Sequence, residues 1–401
     1  MKQLFLLSLL ATTTAVQAQQ VRITGRVTDE QKRPVPYATV GLRGNEPGTS
    51  TNEAGEFTLR LATQPREIVV LSMGYQTTVV PVPAGAAPLN IVLKASTVAL
   101  PEVRVRNPEQ VAAELVQRAY AKLVRHARDE HYGKAFYRQK QRHNGQYNEF
   151  LDAFYTVRLS NQHVEGWQLE QARYGTVPNK QGVDMINFSA AVRLIPVFEP
   201  KPSRRTLAVP LSPLATQQFT FRLREVLQER GQETAVIDYA PRPSLGQPAS
   251  EGTLYLDLNT AALRRLESRV PIGNLTSYQF GEGTTLDSQT FRMVSDFVPV
   301  ADSLTRLSST RAEETIVLRF QNKADTTHVE GNFFVYDYTG KPAGRAYRTT
   351  GVNYDDLKKV MKQPYNAQFW RDQAILRASP VEEKVIRDLE ARKAFGPLQG
   401  K

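Results

Sequence analysis

The chain has 401 residues, with 51 Lys+Arg against 40 Asp+Glu, a formal charge of +11, and no cysteine. The missing thiol excludes a disulfide framework, a Cys-ligated zinc site, a cysteine nucleophile and a lipid anchor on an N-terminal cysteine. At 41% hydrophobic and 23% charged the composition is that of globular protein, and the length suits two or three domains of roughly 100–200 residues.

The first residues have the layout of a secretory signal peptide. Lys2 precedes the apolar run Leu4–Leu10, and Val16-Gln17-Ala18 offers a small-residue cleavage pattern before Gln19. The run is shorter than the roughly 20 residues a spanning helix needs. Residues 1–18 are therefore expected to be removed, which takes away one Lys and no acid. No later stretch approaches spanning length, so the mature protein is expected to be soluble and exported, periplasmic or associated with an outer membrane, or secreted.

From Val21 the pattern becomes short alternating runs broken by Gly, Pro and Asn. Val21, Ile23 and Val27 open a strand, Ala38, Val40 and Leu42 alternate after Pro34 and Pro36, and Phe57, Leu59 and Leu61 alternate after the turn 51–55. The run Ile68–Leu71 suits a strand buried on both faces, and Gly74-Tyr75, Val79-Val80 and Leu89–Leu93 complete six or seven strands, the count of a small sandwich. These residues resemble a known family. Gly25-x-Val27-x-Asp29, Pro34-Val35-Pro36-x-Ala38-x-Val40, Thr51-Asn52-x-x-Gly55-x-Phe57 and Ser72-x-Gly74-Tyr75 look like the carboxypeptidase regulatory-like domain. The resemblance covers 21–94. It implies a transthyretin-like β-sandwich of the kind found at the N-terminus of exported Bacteroidetes proteins, including outer-membrane TonB-dependent receptors. It does not imply a peptidase: none of His126, His131, His143, His163 or His328 has Glu three residues later.

Residues 95–106 read as an extended linker, and 107–401 as a second domain. Asn107 offers an N-cap and Pro108 the first helical position, and Val111, Leu115, Ala119 and Leu123 recur at helical spacing over 108–125. Ordinary docking and a membrane-surface role both fit the basic residues Arg118, Lys122 and Arg125. Phe136-Tyr137-Arg138 begins a polar-alternating strand, Asn144-Gly145 supplies a hairpin turn, and 161–173 continues as strand. The Pro- and Gly-rich segment 175–216 reads as a long irregular connection covering a face or a ligand opening. Gly231 and Asn259-Thr260 mark two further hairpins, and alternation at 291–298, 315–320 and 328–338 brings the expected sheet to roughly eight to ten antiparallel strands. A final helix over 380–394 starts with Ser379 as N-cap and places Val381, Val385, Ile386 and Leu389 on one face. The expected class is mainly β: the sandwich, then an α+β domain with a large curved antiparallel sheet and a few packing helices, one of them, 108–125, filling its concave face. The helix-to-sheet layout also resembles, weakly, periplasmic lipoprotein carriers, and the order of elements resembles uncharacterised Bacteroidetes envelope proteins. Some of those continue into a barrel, whereas this chain ends Leu398-Gln399-Gly400-Lys401.

Chemistry is sparse. There is no Gly-x-Ser-x-Gly elbow, His-Glu-x-x-His pair or phosphate loop. Gly281-Glu282-Gly283 reads as a turn, the His126/Asp129 pair as a solvated helix end, and Asp129-Glu130, Glu313-Glu314 and Asp355-Asp356 as surface carboxylates. Arg204-Arg205, Arg264-Arg265 and Lys358-Lys359 are dispersed doublets rather than one basic run. No residue is nominated as catalytic, cofactor-binding or metal-ligating. The expectation is an exported, non-catalytic envelope protein whose module mediates binding or assembly, with an envelope protein or an anionic glycan or lipid as partner and no nucleic acid. The alternatives are a carrier holding an acyl chain in the curved sheet and, behind it, a hydrolase.

Overall fold

A computed structural model describes residues 21–42, 48–85, 87–99, 107–160, 164–177, 195–201, 207–229, 232–270, 283–301, 304–321, 323–342, 356–373 and 375–396. The expected signal peptide, the connector 100–106 and the dipeptide Gly281-Glu282 lie outside these residues.

Seven strands build the module: β1 (Val21–Asp29), β2 (Thr39–Gly41), β3 (Gly48–Ser50), β4 (Glu56–Leu61), β5 (Glu67–Leu71), β6 (Thr78–Pro81) and β7 (Leu89–Leu93). They form two sheets, ordered β4-β1-β7 and β3-β2-β5-β6, closed on Val27, Val40, Phe57, Ile68, Val70 and Leu93. Its motif residues hold turns. The Asn52 side-chain oxygen accepts from the amides of Ala54 and Glu56, both at 2.9 Å. Gly55 has φ +73°, and a Cβ there would lie 2.3 Å from the Val27 carbonyl oxygen. Only glycine satisfies both the left-handed backbone and that close approach.

The large sheet that follows the module holds ten long strands and one short one. They are β8 (Thr97–Ala99), β9 (His131–His143), β10 (Gln146–Leu159), β11 (Val164–Thr176), β12 (Phe219–Glu229), β13 (Gln232–Pro241), β14 (Glu251–Asp257), β15 (Leu263–Val270), β16 (Thr284–Ala301), β17 (Leu304–Phe320) and β18 (Lys323–Thr339). The order is β11-β10-β9-β18-β17-β16-β15-β14-β13-β12-β8, every neighbour antiparallel. Asn144 (φ 47°) and Gly145 (φ 81°) make the β9–β10 hairpin, and the Asp257 carboxylate accepts from the amides of Asn259 and Thr260 to set the β14–β15 turn. β8 lies inside the stretch read from the sequence as a linker, and it forms the edge of the large sheet against β12.

Helix α1 (Pro108–Arg125) is capped by Asn107, whose side chain accepts from the Gln110 amide at 3.1 Å. Ala112, Leu115, Val116, Ala119 and Leu123 are its buried face and share one continuous core with Ala135, Tyr137, Leu151, Ala153 and Tyr155 of the sheet. α1 does not fill that inner face alone. Within the segment 175–216, β11 continues to Thr176, and Val197, Phe198, Val209 and Leu211 join the same core. Arg118 donates to the Asn259 carbonyl at 2.6 Å and Lys122 to that of Thr260. Two of the helix's basic side chains thus pin a turn.

Four short or late helices follow: α2 (Ala215–Gln218), α3 (Leu357–Val360), α4 (Ala367–Asp372) and α5 (Pro380–Ala391). α5 ends three residues before the expected 394, and Lys393 takes a left-handed φ of 52° just beyond it. Trp370 of α4 and Leu376 cover Phe136, Phe154 and Phe334 on the sheet's outer face, while Leu389 of α5 and Phe395 cover Phe150. Val381, expected on the apolar face of α5, is 52% exposed.

Candidate functional site: a charged seam on the outer face of the sheet

Strand periodicity places Phe136, Arg138, Lys140 and Arg142 on the outer face of β9, because Tyr137 joins the inner core. Antiparallel register then sets their neighbours. Arg138 lies opposite Asp152 of β10 and Asn332 of β18, and Asp152 lies opposite Arg173 of β11. Lys140 lies opposite Glu330. Directly opposed side chains of opposite charge pair across strands, and here they do so out of water: Arg138 is 5% exposed, Lys140 5% and Asp152 0%. The polar-alternating stretch is buried on both faces.

Arg138 donates from Nε to Asp152 Oδ1 at 2.7 Å and from Nη2 to Oδ2 at 3.1 Å. Arg173 adds Nη2 to the same Oδ2 at 2.6 Å, and its guanidinium carbon lies 4.7 Å from the Trp370 ring centroid. Burial would raise the pKa of Asp152, but the two guanidinium groups outweigh it and hold the carboxyl below the usual range. The third Arg138 nitrogen, Nη1, donates to Glu382 Oε2 at 3.0 Å. Glu382 is the third helical residue of α5: it closes the capping box by accepting the Ser379 amide at 2.8 Å. The sequence marks it as a first-turn acid, but its role as counter-ion to a strand some 240 positions away is a tertiary fact.

Lys140 is where three parts of the chain meet. Its Nζ lies 2.9 Å from Glu330 Oε2 of β18, 3.5 Å from Glu382 Oε1 of α5, and in contact with Glu53 Oε1 of the module. Burial disfavours the ammonium, yet the three carboxylates outweigh it and raise its pKa. Glu330 is also met by Arg142 Nη2 at 3.0 Å and His328 Nε2 at 2.9 Å. Against the upward pull of burial, the His328 bond and Lys140 hold it down to about 2. Glu53 goes the other way: burial raises it, with Glu330 and Glu382 adding to the rise.

The remaining contacts between module and sheet follow the same pattern. The Arg311 guanidinium carbon sits 4.2 Å from the Tyr37 ring centroid, Thr49 Oγ1 donates to the Ile375 carbonyl at 2.6 Å, and Arg377 Nε meets Glu56 Oε2 at 3.4 Å. Tyr37, Glu53 and Glu56 occupy the positions that the motif quoted above leaves open. The lettered positions shape the module; the open ones attach it.

His328 also draws attention as chemistry. Thr315 Oγ1 lies 2.8 Å from its Nδ1, so Thr315, His328 and Glu330 line up as hydroxyl, imidazole and carboxylate. They are rungs of the β17–β18 ladder, and the carboxylate is already neutralised by Lys140 and Arg142. Among the described residues, no three His, Asp or Glu side chains are grouped to hold a metal ion. His126 Nδ1 pairs with Asp129 at 2.9 Å at the C-terminal end of α1.

Comparison with known proteins bears on the first quarter of the chain. Residues 23–105 match the model of the CarboxypepD_reg-like domain, so the match runs past residue 94 and includes β8. A 94-residue stretch is 42% identical to the TonB-dependent receptor SusC of Bacteroides thetaiotaomicron, covering 23% of this chain and 9% of that receptor. The chain therefore spans under a tenth of that relative. Among solved structures, a DUF1329 family protein from Desulfovibrio piger aligns over 60% of this chain and 95% of its own at 9% identity and a TM-score of 0.23, too low to establish a shared fold. Residues 23–105 match the CarboxypepD_reg-like domain, and strands β1–β7 within that region form its β-sandwich, joined to a large antiparallel sheet.

Proposed function

We propose that this is an exported, non-catalytic cell-envelope protein in which the CarboxypepD_reg-like module acts as an assembly element. The carrying observation is the seam: the module's open motif positions, Tyr37, Glu53 and Glu56, clasp the sheet and its C-terminal cover. A module fastened this way fixes the orientation of the surfaces it presents to a partner. The export half of the reading rests on the signal-like residues 1–18 and on the likeness of the module to part of an outer-membrane-type receptor. The dispersed positive charge suits an anionic envelope partner, protein, glycan or lipid.

Fractionation of the native host, then affinity recovery of the full chain from intact envelopes, tests it. The reading requires the protein in an envelope or periplasmic fraction with the leader removed, and a partner that survives washing. A cytoplasmic protein with residues 1–18 intact, or recovery of nothing above background, refutes it. The carrier alternative loses ground beneath α1, where the inner face is occupied by side chains of the helix and of the segment at 197–211.

A further inference from the structure

The module touches the outer face of the sheet over a narrow polar footprint, and beside that footprint a cleft of about 430 Å³ remains between the two. Leu71 and Val69 of β5 form one wall, Val298 and Val300 of β16 and Phe334 and Tyr336 of β18 the other. Leu71 is 42% exposed at the rim. Clefts of this size lined mainly by apolar groups are the usual form of small-molecule sites. Water is a poor occupant, since it finds few partners there.

We propose that this cleft binds a single-chain amphiphile with an anionic head, such as a long-chain carboxylate. Two observations choose that class. First, four of the lining hydroxyls already have acceptors within the protein: Thr49 donates to the Ile375 carbonyl, Ser308 to the Asp296 carbonyl, Ser309 to the Asp296 carboxylate and Tyr338 to the Leu307 carbonyl. A polyhydroxylated ligand would find those groups engaged, whereas an alkyl chain needs none of them. Second, Arg306 is the one charged side chain in the lining among the described residues. Its guanidinium carbon lies 3.2 Å from the Tyr338 ring centroid. A cation in the lining of an otherwise apolar cleft complements a carboxylate at the end of a chain. This inference stands apart from the proposed export, since it concerns the purified protein alone.

The test is fluorescence titration of the full chain with cis-parinarate, followed by displacement with palmitate, hexadecanol and a linear oligosaccharide. Saturable binding is expected, with palmitate displacing the probe about tenfold more effectively than hexadecanol and the sugar not at all. Leu71→Arg and Val298→Arg, at partly exposed positions, should each weaken binding about tenfold or more while circular dichroism stays unchanged. Arg306→Gln should remove the preference for acid over alcohol. If that variant does not fold, the wild-type preference and the two rim variants decide the matter. No saturation by about 100 μM probe, displacement by the sugar, or indifference to both rim substitutions overturns the proposal.

Discussion

Four cations and four carboxylates make up the seam: Arg138, Lys140, Arg142 and Arg173 with Glu53, Asp152, Glu330 and Glu382. Matching charges out of water is close to neutral for stability, but removing one partner leaves the others uncompensated. Lys140→Met should therefore cost about 3–5 kcal/mol in chemical denaturation. Glu53→Gln should cost far less, because its carboxylate is disfavoured where it sits. A double-mutant cycle at these two positions measures their coupling, and a value near zero would show that Lys140 does not hold the module.

Acid should act in two stages. The folded-state pKa of Glu330 is depressed to about 2 from 4.5, so its contribution is whole above about pH 4.5 and lost as pH falls toward 2, on the order of 3 kcal/mol at most. Glu53 is raised, so protonating it between neutrality and its ordinary range favours the folded state. Melting temperature should hold or rise from about pH 7 to 5 and drop steeply below about 4.5. Glu330→Gln should flatten the drop. A steady decline beginning at neutrality would contradict the assignment.

Elements were legible where their cause is local. Asn107 and Ser379 as caps, Asn144-Gly145 as a hairpin turn and the spacing of Leu115, Ala119 and Leu123 all follow from interactions within a few residues. Gly55 belongs here too: Gly55→Ala should destabilise the module by more than about 1 kcal/mol, readable in urea unfolding, because it adds backbone strain to a collision with Val27. An unchanged midpoint would mean that the turn can relax. What stayed hidden depends on distant partners. The burial of Arg138 and Lys140 is not legible locally, because nothing in their own strand indicates that α4, α5 and the module cover that face. The stretch 95–106 looked like a tether because three residues of strand, Thr97–Ala99, declare themselves only against β12. No catalytic residue was nominated, and the Thr315–His328–Glu330 alignment is likewise invisible in sequence, since its members meet across a ladder.

At the scale of the whole molecule, the module is joined to the sheet twice, covalently through β8 and laterally through Lys140. Domain interfaces inside one chain are mobile by default unless large and apolar; this one is small and charged, but Lys140 at its centre is buried and weakly screened by salt. Calorimetry of the full chain at neutral pH should show one transition for module and sheet together. Lys140→Met should split it in two, with the module's own transition retained. Two transitions in the wild type would mean that the seam does not couple them.

The centre of the sheet has a consequence in time. β9 is flanked by β10, its neighbour in the chain, and by β18, whose Thr339 pairs with Tyr132 roughly 200 residues earlier. Strands β10 and β11 lie on one side of that junction and β12–β17 on the other. Neither half can be joined until β18 has left the ribosome, and the closure of so long a loop is slow. The large sheet therefore stays in two unjoined parts for most of the chain's synthesis, whereas the module, complete by β7, has its own core.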